Sequence, residues 1–347
     1  MPSQKNILVL YTELAYYTVK CFSELASAFD VNIHILRQPV NKSAPFKFEL
    51  SHPNIHYHNA QDYDLEKLLK LYSELKPQLI YCAGWTNKTY LKLCKLKHGE
   101  CKTLLGFDTP WNGSIRQQAG AIYSKVFITP YFHYAFIPSK AQSVLALKMG
   151  FNHKQIITGA YAADVDLYAN ANINHNRPKV LLFVGRYAPE KWIAQLCSTF
   201  LKLKSHGELT DWKLHCIGVG SYQIPVHESI VDLGFKQPDE LVEEIKNAGI
   251  FILPSVFEPW GVVVHEMAAA GLPLILSDAV GSCEVFLVDG KNGYSFPSGN
   301  IQIMEEVIKK MCNLNPETLK SMSIESQKMA REITPINWAQ TLYKLIA

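Results

Sequence analysis

Three absences narrow the field before any motif is read. No apolar run reaches the roughly 18 residues of a membrane-spanning helix, and none of the eight cysteines forms a Cys-x-x-Cys pair. The short apolar run that ends at Tyr11-Thr12-Glu13 has no small-residue cleavage site after it, so a first strand is expected there rather than a signal peptide. In that context Cys21, Cys82, Cys94, Cys101, Cys197, Cys216, Cys283 and Cys312 read as free, mostly buried thiols of a reducing compartment. Charge is also scarce, at 19% of residues against an ordinary ~25%. What is present is apolar: 48% hydrophobic residues over 347 positions are enough for a sizeable core, and the length suits about two domains.

The net charge of +3 is unevenly spread. Residues 1–176 carry 18 Lys and Arg against 12 Asp and Glu; residues 177–347 carry 16 against 19. Much of the excess sits on Lys88, Lys92, Lys95, Lys97 and Lys102, the first three at helical spacing. Such a stripe is a solvated helix face or a surface that meets anionic lipid or a phosphorylated acceptor. Nucleic acid is not expected as a partner, because no interleaving of basic and aromatic residues accompanies it.

Short β-branched apolar runs alternate with amphipathic stretches. Strands are expected at Asn6–Tyr11, Val31–Leu36, Gln78–Ala83, Thr103–Phe107 and Tyr134–Pro138, then at Val180–Val184, Lys213–Ile217, Ile230–Leu233, Ile250–Leu253 and Leu272–Leu276. A helix capped by Asp64 presents Leu65, Leu68, Leu69, Tyr72 and Leu75 on one face and stops at Lys76-Pro77. Near-continuous apolar strands separated by helices imply parallel sheets covered on both faces. Two such series imply an α/β chain of two doubly wound, Rossmann-like domains: an N-terminal domain 1–167, an Asn-rich linker 168–178, a second domain 179–333, and a final helical segment 334–347.

Several tempting motifs break. After Gly218-Val219-Gly220 the third glycine of a dinucleotide fingerprint would fall at Gln223; after His265-Glu266 the second histidine of a zinc-protease pattern would fall at Ala269. No Gly-x-Ser-x-Gly occurs, and Gly290-Lys291 is followed by Asn292. His56-Tyr57-His58 could set two imidazoles on one strand face, but no third ligand is nearby, and Asp164-Val165-Asp166 beside the linker reads as a polar loop. No metal site is expected.

The second half holds a connected set. Strand Val180–Val184 runs into Gly185-Arg186, with Glu190-Lys191 just beyond. Glycine lets a ligand approach the backbone, Arg186 can grip phosphate oxygens with its planar fork, and Lys191 adds a point charge. Next, Leu253-Pro254-Ser255-Val256-Phe257-Glu258-Pro259-Trp260-Gly261 is a strand end and tight loop that opens a helix near Val262. The N-terminus of that helix is a natural seat for a diphosphate. Glu258 before it and Glu266 inside it can each accept hydrogen bonds from the hydroxyls of a different ring.

These pieces, with Leu233-Gly234-Phe235, Gly271-x-Pro273, Gly281-Ser-Cys-Glu284 and Asn292-Gly293, resemble the nucleotide-sugar-binding domain of retaining family-4 glycosyltransferases, which have the GT-B fold. The resemblance is specific over about 179–300 and weaker to the C-terminus, where Trp338 and the last helix resemble the segment that returns to the first domain. It implies that Gly185, Arg186 and Lys191 hold the donor diphosphate, Glu266 the ribose and Glu258 the transferred sugar. It also implies that backbone around Trp260, Gly261 and Val262 contacts sugar and phosphates, and that Gly234 and Phe235 lie near the base. In the first half, Leu104–Thr109 resembles the place where the family often carries a histidine; here Asp108 stands there.

The function so implied is transfer of a sugar from a UDP- or GDP-sugar to a saccharide or lipid-linked saccharide, with retention, in envelope polysaccharide or lipopolysaccharide synthesis. Glu258, Asp108, Arg186 and Lys191 are the catalytic candidates, with no metal or other cofactor. The enzyme is expected in the cytoplasm, docked at the inner face of the membrane. The rivals are a sugar-nucleotide epimerase or hydrolase on the same scaffold, and a non-catalytic nucleotide-binding subunit.

Overall fold

The computed structural model describes residues 4–39, 46–47, 52–171 and 178–347. They form two compact units: one takes the described residues up to Ala162 together with Pro335–Ala347, the other Ala163–Thr334.

The first unit is built on a seven-stranded parallel sheet, β1 (Lys5–Leu10), β2 (Val31–Arg37), β3 (Ile55–Asn59), β4 (Leu79–Ala83), β5 (Lys102–Gly106), β6 (Tyr134–Ile137) and β7 (Ile156–Thr158), in the order β3-β2-β1-β4-β5-β6-β7. Its central strands are apolar on both faces because helices cover both: Ile7, Leu8, Val9 and Leu10 of β1 are all fully buried. The connecting helices are α1 (Tyr16–Phe29), α2 (Leu65–Leu75), α3 (Lys88–Lys97), α4 (Ile115–Phe127) and α5 (Ser143–Lys148). Asp64 caps α2 by accepting from the Lys67 N–H at 2.9 Å, and Lys76 ends it in a left-handed turn. The stripe that α2 buries is Leu68, Leu71 and Tyr72, rotated from the expected one, with Leu65, Leu69 and Leu75 at its margin.

The second unit repeats the plan with six parallel strands, β8 (Val180–Val184), β9 (Lys213–Ile217), β10 (Ile230–Asp232), β11 (Ile250–Leu253), β12 (Leu274–Ser277) and β13 (Gly293–Phe296), ordered β10-β9-β8-β11-β12-β13. Its helices are α6 (Val165–Ala169), α7 (Ile193–Ser205), α8 (Pro238–Ile245), α9 (Val262–Ala269), α10 (Cys283–Phe286), α11 (Ile301–Cys312) and α12 (Pro316–Ala330). The last helix, α13 (Pro335–Tyr343), belongs to the first unit. There the Trp338 indole N–H donates to the Ala160 carbonyl at 2.9 Å, and Tyr343 stacks on Phe29 of α1 with ring centres 4.3 Å apart.

Three sequence expectations change. Strands β3, β7 and β13 were not among those expected; all three are sheet edges. The boundary falls after Ala162 rather than 167, because Asp164, expected in a polar loop, instead caps α6 by accepting from the Leu167 N–H at 3.3 Å and is buried. The expected linker therefore begins inside a helix, and its residues 172–177 lie outside the described part of the chain. Of the cysteines, Cys101 and Cys283 are half-buried and the rest buried. Among the described residues no helix is long and apolar enough to cross a membrane.

Candidate functional site

In parallel sheets ligands collect at the carboxyl ends of the strands, and the candidate residues of the second unit gather there. Past β8 the chain stays extended: the Gly185 N–H donates to the Ile217 carbonyl and the Tyr187 N–H to the Val219 carbonyl, each at 2.9 Å. This explains Gly218-x-Gly220. A Cβ on Gly218 would strike the Gly185 carbonyl oxygen, and one on Gly220 that of Tyr187. The two glycines bring backbones together beside the candidate diphosphate residues. The next turn is locked by Asp232, which accepts from the Tyr187 hydroxyl at 2.8 Å and from the Gly234 N–H at 3.0 Å. Gly234 takes φ 66°, a left-handed conformation that suits glycine, and Phe235 follows it, half-buried.

Both candidate cations meet carboxylates. Arg186, whose side chain is 56% exposed, reaches Glu190 at 3.1 Å. Lys191 is nearly buried and ion-paired with Glu258, whose side chain is as sheltered as its own. Behind Lys191, the Glu190 carbonyl accepts from the Val256 N–H at 2.8 Å, fixing the turn to the loop that carries Glu258.

That loop is clamped from its other side. The Glu258 and Trp260 carbonyls accept from the N–H groups of Gly281 and Ser282, each at 2.9 Å, and the Gly261 carbonyl from the Ser282 hydroxyl at 3.1 Å. Gly281 must be glycine, because a Cβ there would meet the Pro259 carbonyl oxygen. Gly261 caps α9 at φ 85°, with the Glu258 Cγ 2.9 Å from where its Cβ would stand, and among the described residues no side chain caps the helix. Lys191, Glu258 and the tip of α9, where Val262 is the first helical residue, thus form one group. Trp260 is 2% exposed, and its Nε1 has no hydrogen-bond partner among the described residues.

Glu266 lies one turn into α9. Its carboxyl takes a hydrogen bond from the Tyr168 hydroxyl of α6 and feels the nearby Asp164 charge; burial, the larger effect, pushes it up from 4.5 to about 7. Its neighbour His265 is wholly buried: Nδ1 accepts from the Ala163 N–H at 3.1 Å and Nε2 pairs with the Ala330 carbonyl at 2.8 Å. Burial lowers this imidazole to about 4, so it is a neutral structural clasp.

In the first unit Asp108 follows the carboxyl end of β5, half-exposed. Its charge adds to the burial that raises Tyr11 to about 12 and raises Tyr161 as well. Away from the strand ends, His34 supplies the imidazole that the His56-Tyr57-His58 pattern lacked in sequence. It comes from the adjacent strand, with Nδ1 3.2 Å from His58 Nε2, and its ring stacks on His56. Among the described residues no group of three or more His, Cys, Asp or Glu is placed to hold a metal.

Sequence reasoning missed Tyr168, Asp164 and Asp232. The two aspartates had signals, one in an Asp-x-Asp pair and one two residues before Gly234. Tyr168 had none, because only the fold of α6 against α9 brings it to Glu266.

The second unit matches a known family, and the chain as a whole a known fold. Residues 165–329 match the model of the glycosyl transferases group 1 family. An uncharacterized glycosyltransferase of Methanocaldococcus jannaschii is 33% identical over 138 residues, covering 35% of each chain. The alpha-monoglucosyldiacylglycerol synthase of Acholeplasma laidlawii is 28% identical over 212 residues, 56% of this chain and 50% of that one. The chain thus spans about a third of the first relative and half of the second. Over 98% of its length it superposes on 99% of Anabaena HepE, solved with UDP, with TM-score 0.76 at 13% identity, which establishes a shared GT-B fold. The second unit is therefore a glycosyl transferases group 1 domain, in a chain that has the GT-B architecture.

Proposed function

We propose that this chain moves a sugar from a UDP- or GDP-linked donor to a saccharide or lipid-linked saccharide acceptor, keeping the anomeric configuration, in the synthesis of a cell-envelope polysaccharide or lipopolysaccharide. The observation that carries the reading is the Lys191–Glu258 ion pair held against the uncapped tip of α9. It couples a sheltered cation for a departing diphosphate to a sheltered carboxylate for a sugar hydroxyl. Relatives point the same way: one is named a lipopolysaccharide 1,6-galactosyltransferase, another an alpha-monoglucosyldiacylglycerol synthase.

The chemical difficulty is charge building on the leaving diphosphate as the anomeric C–O bond breaks through an oxocarbenium-like transition state. Fixed donors aimed at that charge are worth about 3–4 kcal/mol each. In this proposal Lys191, Arg186, the Gly185 backbone and the α9 tip at Gly261 and Val262 supply them, so no metal is needed. Glu258 orients the sugar, Glu266 binds the ribose hydroxyls, and Gly234 and Phe235 line the base. The Trp260 backbone contacts the donor, and Asp108 positions a sugar or acceptor hydroxyl. The acceptor oxygen attacks the same face that the phosphate leaves, forming the new C–O bond, and its proton passes to the phosphate oxygen. The reaction is placed on the cytoplasmic side of a membrane.

Thermal-shift screening with UDP, GDP and their sugars, followed by transfer assays on glycolipid extract, tests the proposal. One nucleotide is expected to stabilise the protein selectively, with turnover insensitive to chelator. Rapid epimerisation of the donor without acceptor, strict Mg²⁺ dependence, or binding with no transfer would each overturn it.

A further inference from the structure

Helix α4 is turned inside out. Of its 13 residues only Ala121 and Ser124 are buried. Its large apolar side chains face water instead: Ile115 is 85% exposed, Ile122 69%, Val126 60%, Tyr123 56% and Phe127 51%. At about 100° per residue these side chains, with Ala119, share one stripe opposite the buried side. On the same count Arg116 falls within the stripe, between Tyr123 and Phe127, and Lys125 lies about 60° beyond its Ile122 edge. No residue from 109 to 163 is Asp or Glu, while Arg116, Lys125, Lys140, Lys148 and Lys154 fall in that span. An apolar stripe on a cationic background without acids suits a negatively charged apolar boundary. A second copy of the chain suits it poorly: like charges would meet, and one stripe about 20 Å long is small beside the ~800 Å² per partner of a stable interface.

We infer that α4 is the surface by which the chain docks on an anionic lipid bilayer, with Ile115, Ile122, Tyr123 and Val126 entering the headgroup boundary and Arg116 and Lys125 at the phosphates. This gives the membrane contact to α4 rather than to the lysines of α3. Two of those are already engaged, Lys95 over the Tyr131 ring and Lys97 with Glu100. The inference rests on the reading that the acceptor is presented at a membrane.

The test is flotation with vesicles of phosphatidylglycerol and phosphatidylcholine in equal parts, against phosphatidylcholine alone. It compares wild type with Ile122→Asp/Val126→Asp and with Arg116→Glu/Lys125→Glu. Wild type is expected to float with the anionic vesicles only, and each variant to lose about tenfold or more in partitioning, with melting temperature and nucleotide-induced thermal shift unchanged. Wild type that ignores anionic vesicles, or variants that float like it, overturn the inference. So does a wild-type dimer that the Ile122→Asp/Val126→Asp variant dissociates, which would make the occupant a second copy. Transfer to a soluble acceptor without vesicle binding overturns this inference alone; vesicle binding through α4 with no transfer from any nucleotide sugar overturns the proposed function alone.

Discussion

Helices α4 and α9 each join two neighbouring parallel strands, β5 to β6 and β11 to β12, and spend their apolar residues in opposite ways. α9 sinks Val264, Met267, Ala268 and Ala269 into the second unit and leaves its tip uncapped. α4 buries two small residues and shows its large ones to water. Buried apolar surface fixes a helix, at roughly 25 cal/mol per Å², so α9 can hold a site to the tolerance that chemistry demands. The outward stripe of α4 contributes little to its own unit, which leaves it available to something outside. The contrast separates a part that holds from a part that meets.

Mutations on the α9 side should show the largest effects. Lys191→Ala removes a charge from the candidate leaving-group site and leaves Glu258 sheltered without its partner; turnover is expected to fall about 10²–10³-fold in steady-state assays, with a smaller loss for Arg186→Ala. If Lys191→Ala loses no more than Ile122→Asp/Val126→Asp does on a soluble acceptor, the division of labour is wrong. Gly218→Ala forces a Cβ into the Gly185 carbonyl and is expected to destabilise by about 3 kcal/mol in urea unfolding. Gly99→Ala, which meets nothing within 4 Å, should stay within about 0.5 kcal/mol.

Glu266 offers a finer test. Its folded pKa of about 7 lies above its ordinary 4.5, so the folded state favours the proton. The stability this confers is full below 4.5 and is lost as pH rises through 7, by up to about 3 kcal/mol. Glu266→Gln should therefore be more stable than wild type at pH 8 and equal to it near pH 4.5. Calorimetry should also show nucleotide affinity rising from pH 6 to 8 in wild type, as the carboxylate becomes a better acceptor for ribose hydroxyls, with that rise reduced in the variant. The smallest effect, about threefold on nucleotide affinity, is expected for Tyr168→Phe, which removes one hydrogen bond to that carboxyl.

What the sequence showed and what it hid divide along physical lines. The interior strands were legible because burial on both faces demands unbroken apolar runs such as Val180–Val184. Of the edge strands, β10 was found, but β3, β7 and β13 were not. An edge need not be apolar throughout, and Ile55–Asn59 carries two histidines. In the candidate site, Gly-Arg, Glu-Lys and the loop through Glu258 are short contiguous motifs that can be read from the sequence. The partners of Glu266 are not, since Tyr168 and Asp164 precede it by about a hundred residues. The α4 stripe has the spacing of any core-facing helix, and only its packing shows that it faces the other way.

The bond from Trp338 to the Ala160 carbonyl joins residues on either side of the long excursion that the chain makes from 163 to 334. Topologically the second unit is a guest spliced into a host, and the host keeps its two cut ends pinned at one point. Closing so short a gap costs little chain entropy. A host bridged by a few flexible residues in place of 163–334 should therefore still recruit its own terminal helix, so the guest could be exchanged for another without rebuilding the host sheet.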